Sequence, residues 1–553
     1  MISRKAARMS QQLSRCVATL TRLSSEHESF FHYNSGRWLY NEREQLAARK
    51  VQFNVDALKQ VAASAAGAKR CISMVKSNEG SFNRIFTLKF DNGSELIAKI
   101  PCPLVTPQHL CTASEVATME YARTILGLPI PKVLDWSARA DGTSVGVEYI
   151  LMEKVEGVEL SHRYKNFREE GIKFVYQVNS MEQSFVSRRF SQIGSLYFKE
   201  DVEPALQARP LYAEGEDDDD ASERFRIGPY VDWSVWRGAR ADLALDRGPW
   251  PDALSFVQAV VNIQQAWLKR FAPVRSPNDV FSFSGLDTSP DIHVRLLDQV
   301  LAIAPYLLPP DNLSFPVLWH TDLHGGNIMI KAEGAPDITG IIDWQGMSVA
   351  PLFIQCVYPK FVKYTGDDRI VLPPGLKLPE LPPDFDQYSE DEQTFIKGQY
   401  RLAIFYKSYE ASIAYNSPHQ LAIHGYPDSD IDHLKVFVGS SSRTWFDGAH
   451  HLFQYLLEIE ENWDEIAPGT AFPDCWHKVD IEQYHRDYAR LETYDDCASR
   501  LIDKLQIEGN GWVSNERYKE VRAKCDELQK SWDVDTNGGP FPFQDGAPFD
   551  ILS

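Results

Sequence analysis

The sequence predicts an α+β protein of two lobes, a small strand-rich N-terminal lobe followed by a large, mostly helical C-terminal lobe. Three observations predict it. A chain of 553 residues is too long for one compact core. Between residues 71 and 155, apolar alternation and turn signals recur at strand spacing, whereas beyond Gly157 the apolar periodicity is helical. Residues 318–346, LWHTDLHGGNIMIKAEGAPDITGIIDWQG, set polar residues that are costly to order between short apolar runs.

The elements follow in chain order. Residues 1–25 carry five basic residues, five serines and no acid, with Ile2, Ala6, Met9, Leu13, Val17 and Leu20 at helical spacing. That is the composition of a mitochondrial transit peptide, so import is expected. Residues 26–70 read as a helical extension whose aromatics pack on the main body. In the small lobe, 71–155, SFNRIFTLKF and SELIAKIP flank Asn92-Gly93 as a hairpin. A helix is expected over 113–126, closed by Gly127 and Pro129, and PKVLDWS and VGVEYILMEKV add two strands.

The large lobe, 156–505, shows amphipathic helices near 165–200, 253–271, 390–416 and 442–463. Within it, EGEDDDDASE at 214–223 reads as a solvated, disordered acidic insertion, and the proline-rich 371–386 as a surface excursion. In the tail, 506–553, Ser514 is expected to cap a helix whose Tyr518, Val521, Cys525, Leu528 and Trp532 face one way. No internal repeat is visible.

Composition narrows the function. Hydrophobic residues make up 43% and aromatics 12%, as in a globular protein. A formal net charge of -20 argues against nucleic-acid binding, which needs clustered Lys and Arg. The eight cysteines have no CxxC spacing, against a zinc ribbon or disulfide framework. No apolar run approaches the length of a membrane span.

Chemistry is concentrated in a few residues. Lys99 lies inside an apolar strand and needs water or a partner; the next helix offers Glu115 and Glu120. The loop Asn78-Glu79-Gly80-Ser81-Phe82-Asn83-Arg84 could lay backbone N–H groups over phosphates, although one glycine makes a weak motif. Gly325 and Gly326 allow a sharp reversal that puts Asp322 and Asn327 on one loop. A hairpin of NIMI and ITGIID then brings Asn327 near Asp343, which gives two oxygen ligands suited to Mg²⁺ beside a hydroxyl-orienting Asp322. A zinc reading of HTDLH fails, because Thr321 stands where HExxH has Glu and the glycines oppose a helix. His320 reads instead as a loop brace bonded to backbone.

HTDLHGGN followed by IIDW, with LIAKIP, ASEVATMEYARTILGLPIPKVL and YILMEKVEG upstream in order, resembles the aminoglycoside phosphotransferase and choline kinase-like family over roughly residues 71–465. SGRWLYNE and RIGPYVDWSVW look closest to the fungal branch of that family named for altered mitochondrial inheritance. The resemblance implies a bilobal protein-kinase-like fold that uses ATP and Mg²⁺ to phosphorylate a hydroxyl-bearing acceptor. It implies that Lys99 contacts nucleotide phosphates and Glu115, rather than Glu120, holds it. Gly80, Ser81 and Phe82 would cover the phosphates, and Met152, Glu153 and Lys154 would form the adenine hinge. Asp322 would be the catalytic base, and Asn327 and Asp343 the Mg²⁺ ligands. Asp-Trp-Gln in place of Asp-Phe-Gly, and the lack of an Ala-Pro-Glu motif, favour a small-molecule acceptor over a protein. The alternative is an inactive nucleotide-binding or scaffold protein of mitochondria, against which the intact set of Lys99, Asp322, Asn327 and Asp343 argues.

Overall fold

The computed structural model describes residues 27–77, 79–105, 107–167, 169–216, 219–285, 287–364, 366–414, 422, 437–473 and 481–546. The transit-like residues 1–25 lie outside them. The small lobe is a five-stranded antiparallel sheet. From one edge its strands are Cys71–Lys76, Asn83–Phe90, Glu95–Pro101, Tyr149–Glu153 and Val133–Ser137. Alternation sorts its faces. Leu96, Ala98 and Ile100 join Phe86 and Leu88 on one face, where Leu58 and Ala62 of the Val55–Ala65 helix cover them. Lys99 therefore points to the other face, toward the Leu110–Thr124 helix. The extension before the small lobe is thus a lead-in that supplies part of that lobe's core.

The large lobe is built on the helices Glu169–Val186, Ala253–Phe271, Pro290–Leu307, Glu390–Ile413, His450–Glu461 and Ile481–Leu505. Phe174, Phe185, Val257, Leu297, Tyr409 and Phe453 of these helices are buried in one cluster. The same cluster includes Met119 and Met152 of the small lobe, so a continuous apolar contact joins the lobes. A three-stranded sheet of Val158–Glu159, Ile328–Ile330 and Ile338–Ile341 sits at that junction. Ile328 is paired with Ile341, which is the hairpin expected of NIMI and ITGIID. No helix among the described residues is long and apolar enough to cross a membrane.

Several local expectations are corrected. The helix expected over 165–200 ends at Val186, and Ser195–Phe198 instead pairs with Phe225–Gly228. Leu196 and Tyr197 are buried there, so the apolar run serves a strand. Part of the acidic run is built into the fold: Asp219 caps the Asp220–Arg224 helix, Ala221 is buried, and Arg188 pairs with Asp219 at 3.1 Å. Ser514 does not cap a helix. It ends the strand Trp512–Ser514, and the Tyr518–Lys530 helix starts without a side-chain cap. That helix does bury Val521 and Cys525 on the expected face.

The lead-in and tail form one module. Gly36–Trp38 pairs antiparallel with Trp512–Ser514. Leu39 and Tyr40 share a cluster with Leu501, Leu505, Val513, Val521, Phe541 and Phe543. Gly36 is required by close approach, since a Cβ there would fall 2.4 Å from the Trp512 ring.

Candidate active site between the lobes

Strand pairing fixes Lys99 opposite Ile85 on one side and Ile150 on the other. Its ammonium reaches Glu115 Oε1 at 2.6 Å and Asp343 Oδ1 at 2.7 Å. Lys99 and Glu115 are buried, while the Asp343 side chain is 41% exposed to the cleft. Burial opposes the lysine charge, but the carboxylates of Asp343 and Glu115 outweigh it and hold the ammonium above the ordinary lysine range. Burial likewise opposes ionisation of Asp343, and the adjacent Lys99 reverses this, so its carboxyl sits below its usual value. Removing Lys99 would leave Glu115 as a buried, unpaired carboxylate, at a cost of about 3–5 kcal/mol. Glu120 points elsewhere and pairs with Arg123 and Arg224, both at 2.9 Å.

Asp343 has φ +61°, in the left-handed region. For a residue with a Cβ that conformation costs about 1–2 kcal/mol. The neighbours hold it there. Ile342 N–H donates to Asn327 O at 3.0 Å, His320 Nε2 bonds Ile342 O at 3.2 Å, and the buried Trp344 indole donates to Ile341 O at 3.1 Å. His320 is thus a backbone brace, and burial lowers its pKa, which keeps the ring neutral.

Asn327 Nδ2 donates to the backbone O of Asp322 at 3.0 Å and lies 3.4 Å from Asp322 Oδ2. With the amide nitrogen so engaged, Oδ1 is the atom left to act as an acceptor or ligand. Gly325 and Gly326 lie in the expected turn, closed by Asn327 N–H donating to His324 O at 3.0 Å, and neither needs positive φ. Their role is close approach. A Cβ on Gly325 would meet Ser161 N at 3.2 Å, and one on Gly326 would meet the His324 ring at 2.9 Å.

Gly80, Ser81, Phe82, Lys99, Glu115, Met152, Glu153, Lys154, Asn327 and Asp343 all line one cleft of about 560 Å³. Ile97, Met119 and Met329 add apolar lining. The mixture of apolar wall and a few charged groups is that of a small-molecule site. Asp322 does not line the cleft. Its half-exposed carboxylate is tied to Asn327 and to Lys360, whose Nζ lies 2.7 Å from Oδ1.

Two features were missed from the sequence. Lys360 reaches Asp322 across 38 residues, and no spacing rule announces it. The loop residues 79–83 have buried support: Glu79 Oε1 pairs with Arg84 Nη1 at 2.5 Å and Lys76 Nζ at 2.9 Å. Glu79 Oε2 also accepts from Asn34 N–H at 2.8 Å, and Arg49 Nε donates to Ser81 O at 3.1 Å. An arginine within the apolar alternation of NRIFTLKF was the available sign of a buried ion pair.

Among the described residues no group of three or more His, Cys, Asp or Glu could hold a metal ion. Asn327 and Asp343 nonetheless suit a hard cation that takes its remaining ligands from phosphate and water.

A family model described as the phosphotransferase enzyme family matches residues 211–354. A subtelomeric hrmA-associated cluster protein of Aspergillus fumigatus is 34% identical over 500 residues, which cover 81% of this chain and 91% of the relative. Altered inheritance of mitochondria protein 9, mitochondrial, of Yarrowia lipolytica is 23% identical over 523 residues, covering 89% of this chain and 86% of the relative. Among solved structures, a thermostable mutant of an aminoglycoside phosphotransferase in ternary complex with AMP-PNP and hygromycin B aligns with 75% of this chain and 99% of its own. Its identity is 14% and its TM-score 0.35, too low to carry weight beside the sheet, helix and loop order described above.

Proposed function

This chain belongs to the phosphotransferase enzyme family, and from that premise we propose that it transfers the γ-phosphoryl group of ATP to a hydroxyl of a small acceptor. The observation that carries this reading is the Lys99 ammonium joined to Glu115 on one side and to Asp343 on the other, in a cleft between the lobes. A nucleotide's phosphates would draw on the Lys99 charge, with Glu115 keeping the side chain oriented. Gly80, Ser81 and Phe82 would approach the phosphates from the small lobe, and Met152, Glu153 and Lys154 would meet the base. Asn327 and Asp343 would hold Mg²⁺, which when bound would neutralise charge on the transferring group. Asp322 would orient the acceptor hydroxyl and receive its proton. Its place outside the cleft lining, on the loop that Asn327 anchors, fits a group that faces the acceptor rather than the nucleotide.

We place the activity in mitochondria. The support is the basic, acid-free, serine-rich residues 1–25 together with relatives whose names carry that location. The acceptor is open to direct search. Purified protein, incubated with γ-labelled ATP, Mg²⁺ and fractionated metabolites, should label a small molecule. The Asp322→Asn variant should not. Equal labelling by both would remove Asp322 from the chemistry, and no labelling of any fraction would favour a nucleotide-binding scaffold.

A further inference from the structure

A second concavity, of about 520 Å³, lies on the large lobe between the start of the Glu169–Val186 helix and the Glu390–Ile413 helix. Phe167, Ile172, Ile404 and Phe405 give it an apolar wall. Lys165, Lys397 and Arg401 also line it, and no acidic residue does. In a chain with 77 acids against 57 basic residues this local excess of positive charge runs against composition. None of the three cations has an ion-pair partner among the described residues. Lys397 has only the Phe385 ring, 5.3 Å from its Nζ. Arg401 donates from Nη1 to the backbone O of Lys165, yet its Nε is buried with no partner. The Arg401 guanidinium is thus held on its inner side while the residue lines the groove. Lys165 and Lys397 are exposed and Arg401 is half-buried, so solvent screens their repulsion in part, but three cations with no acid among the lining favour an anionic guest over a neutral or cationic one.

We propose that this groove is an anion-binding site, separate from the nucleotide cleft, for a small amphiphile with a phosphate or carboxylate head and a flat apolar body. The head group meets the outer face of the Arg401 guanidinium and the ammonium groups of Lys165 and Lys397, and the body lies on Phe167, Ile404 and Phe405. Phosphate and carboxylate offer the same fork of oxygens to a guanidinium, so the chemistry that recognises them is shared.

The groove is close to the catalytic loop. Ser161 N–H donates to Gly325 O at 2.9 Å, and Lys165 follows four residues later, roughly 6–8 Å along the Leu160–Arg163 helix and the 3-10 turn Tyr164–Asn166 that continues it. Tyr164, between them, donates to Phe361 O at 2.5 Å and packs on Phe405. Phe361 in turn follows Lys360, the residue paired with Asp322.

The test uses 1-naphthyl phosphate and 1-naphthoate as the two head groups, with 1-naphthol and 1-naphthylmethylamine as neutral and cationic comparators. Each is titrated calorimetrically into the full chain. At least one of the two anions should bind, and the neutral and cationic compounds should bind at least about tenfold more weakly. Arg401→Gln should weaken the anion by about ten- to hundredfold, the range expected for one charge-assisted hydrogen bond. Lys165→Gln and Lys397→Gln, at exposed positions where folding is not at stake, should each weaken it as well. Lys99→Met should leave it unchanged. The proposal is overturned if naphthol binds as tightly as the anions, if neither anion binds, or if Lys99→Met abolishes binding while the groove variants do not. A phosphate that binds where the carboxylate does not identifies the head group, and the reverse result identifies the other.

Discussion

Lys360 and Glu182 carry the residue-scale consequences. Lys360 holds Asp322 Oδ1 but does not line the cleft between the lobes. Lys360→Met should therefore lower turnover, by roughly tenfold at most because the pair is half exposed, and leave the nucleotide dissociation constant unchanged. An equal loss in both would place Lys360 on the nucleotide instead. Glu182 is buried in a small cavity shared with His320, Thr321 and Lys360. Burial raises its carboxyl from the ordinary 4.5 to about 8, against a lowering contribution from the Tyr409 hydroxyl, which donates to it at 2.7 Å. The folded chain thus keeps a proton that the unfolded chain releases. Glu182 costs stability progressively as pH rises from about 4.5 to about 8, and the cost is absent below that window. Glu182→Gln should raise the melting temperature at pH 8 and give little or no gain at pH 5. The same change at both pH values would refute the ionisation account. At this scale the sequence was informative where chemistry demands a residue type at short range, as in the Asp322–Asn327 loop. It was silent on Lys360 and Glu182, whose partners are set only by tertiary packing.

At the scale of elements, the loop at 79–83 gains from outside itself what a single glycine does not supply. Glu79 is fully buried between Arg84 and Lys76 and takes the Asn34 N–H of the lead-in. Glu79→Gln would leave two buried cations short of their counter-charge, at a cost of about 3–5 kcal/mol. The melting temperature should fall, and nucleotide affinity should fall more than turnover at saturating nucleotide. Unchanged affinity in a folded variant would show that the loop needs no such support. The acidic run behaves similarly. Deleting 214–223 removes the Asp219 cap, the Arg188 pair and the buried Ala221, so thermal stability should drop rather than hold. Strand and helix type in the small lobe were legible because alternation and turns are local signals. The Ser195–Phe198 strand was misread as helix because a short apolar run fits either period until its partner, Phe225–Gly228, is known.

For the whole molecule, the two ends of the chain close on each other and on the small lobe. The strand at Gly36–Trp38 is held by Trp512–Ser514, and the lead-in that continues from it reaches Ser81 through Arg49. Removing residues 506–546 would uncover Leu39, Leu501 and Leu505, each worth about 1.5–3 kcal/mol of burial. The truncated chain should melt lower and bind nucleotide more weakly than the full chain. Normal affinity after truncation would separate the module from the site. Two lobes could be read from length and periodicity, but the closure of the ends could not, since the pairing strands lie more than 470 residues apart in sequence. The central claim concerns the cleft between the lobes, and it is tested most directly by nucleotide titration with and without Mg²⁺, beside a turnover assay, on Lys99→Met, Asp322→Asn and Asp343→Ala. The expected result is weak nucleotide binding by the Lys99 and Asp343 variants. Asp322→Asn should bind as wild type does, with turnover lower by on the order of 10²-fold or more. If ATP binds equally well to all three variants, or not at all to wild type, this cleft is not the site of phosphoryl transfer.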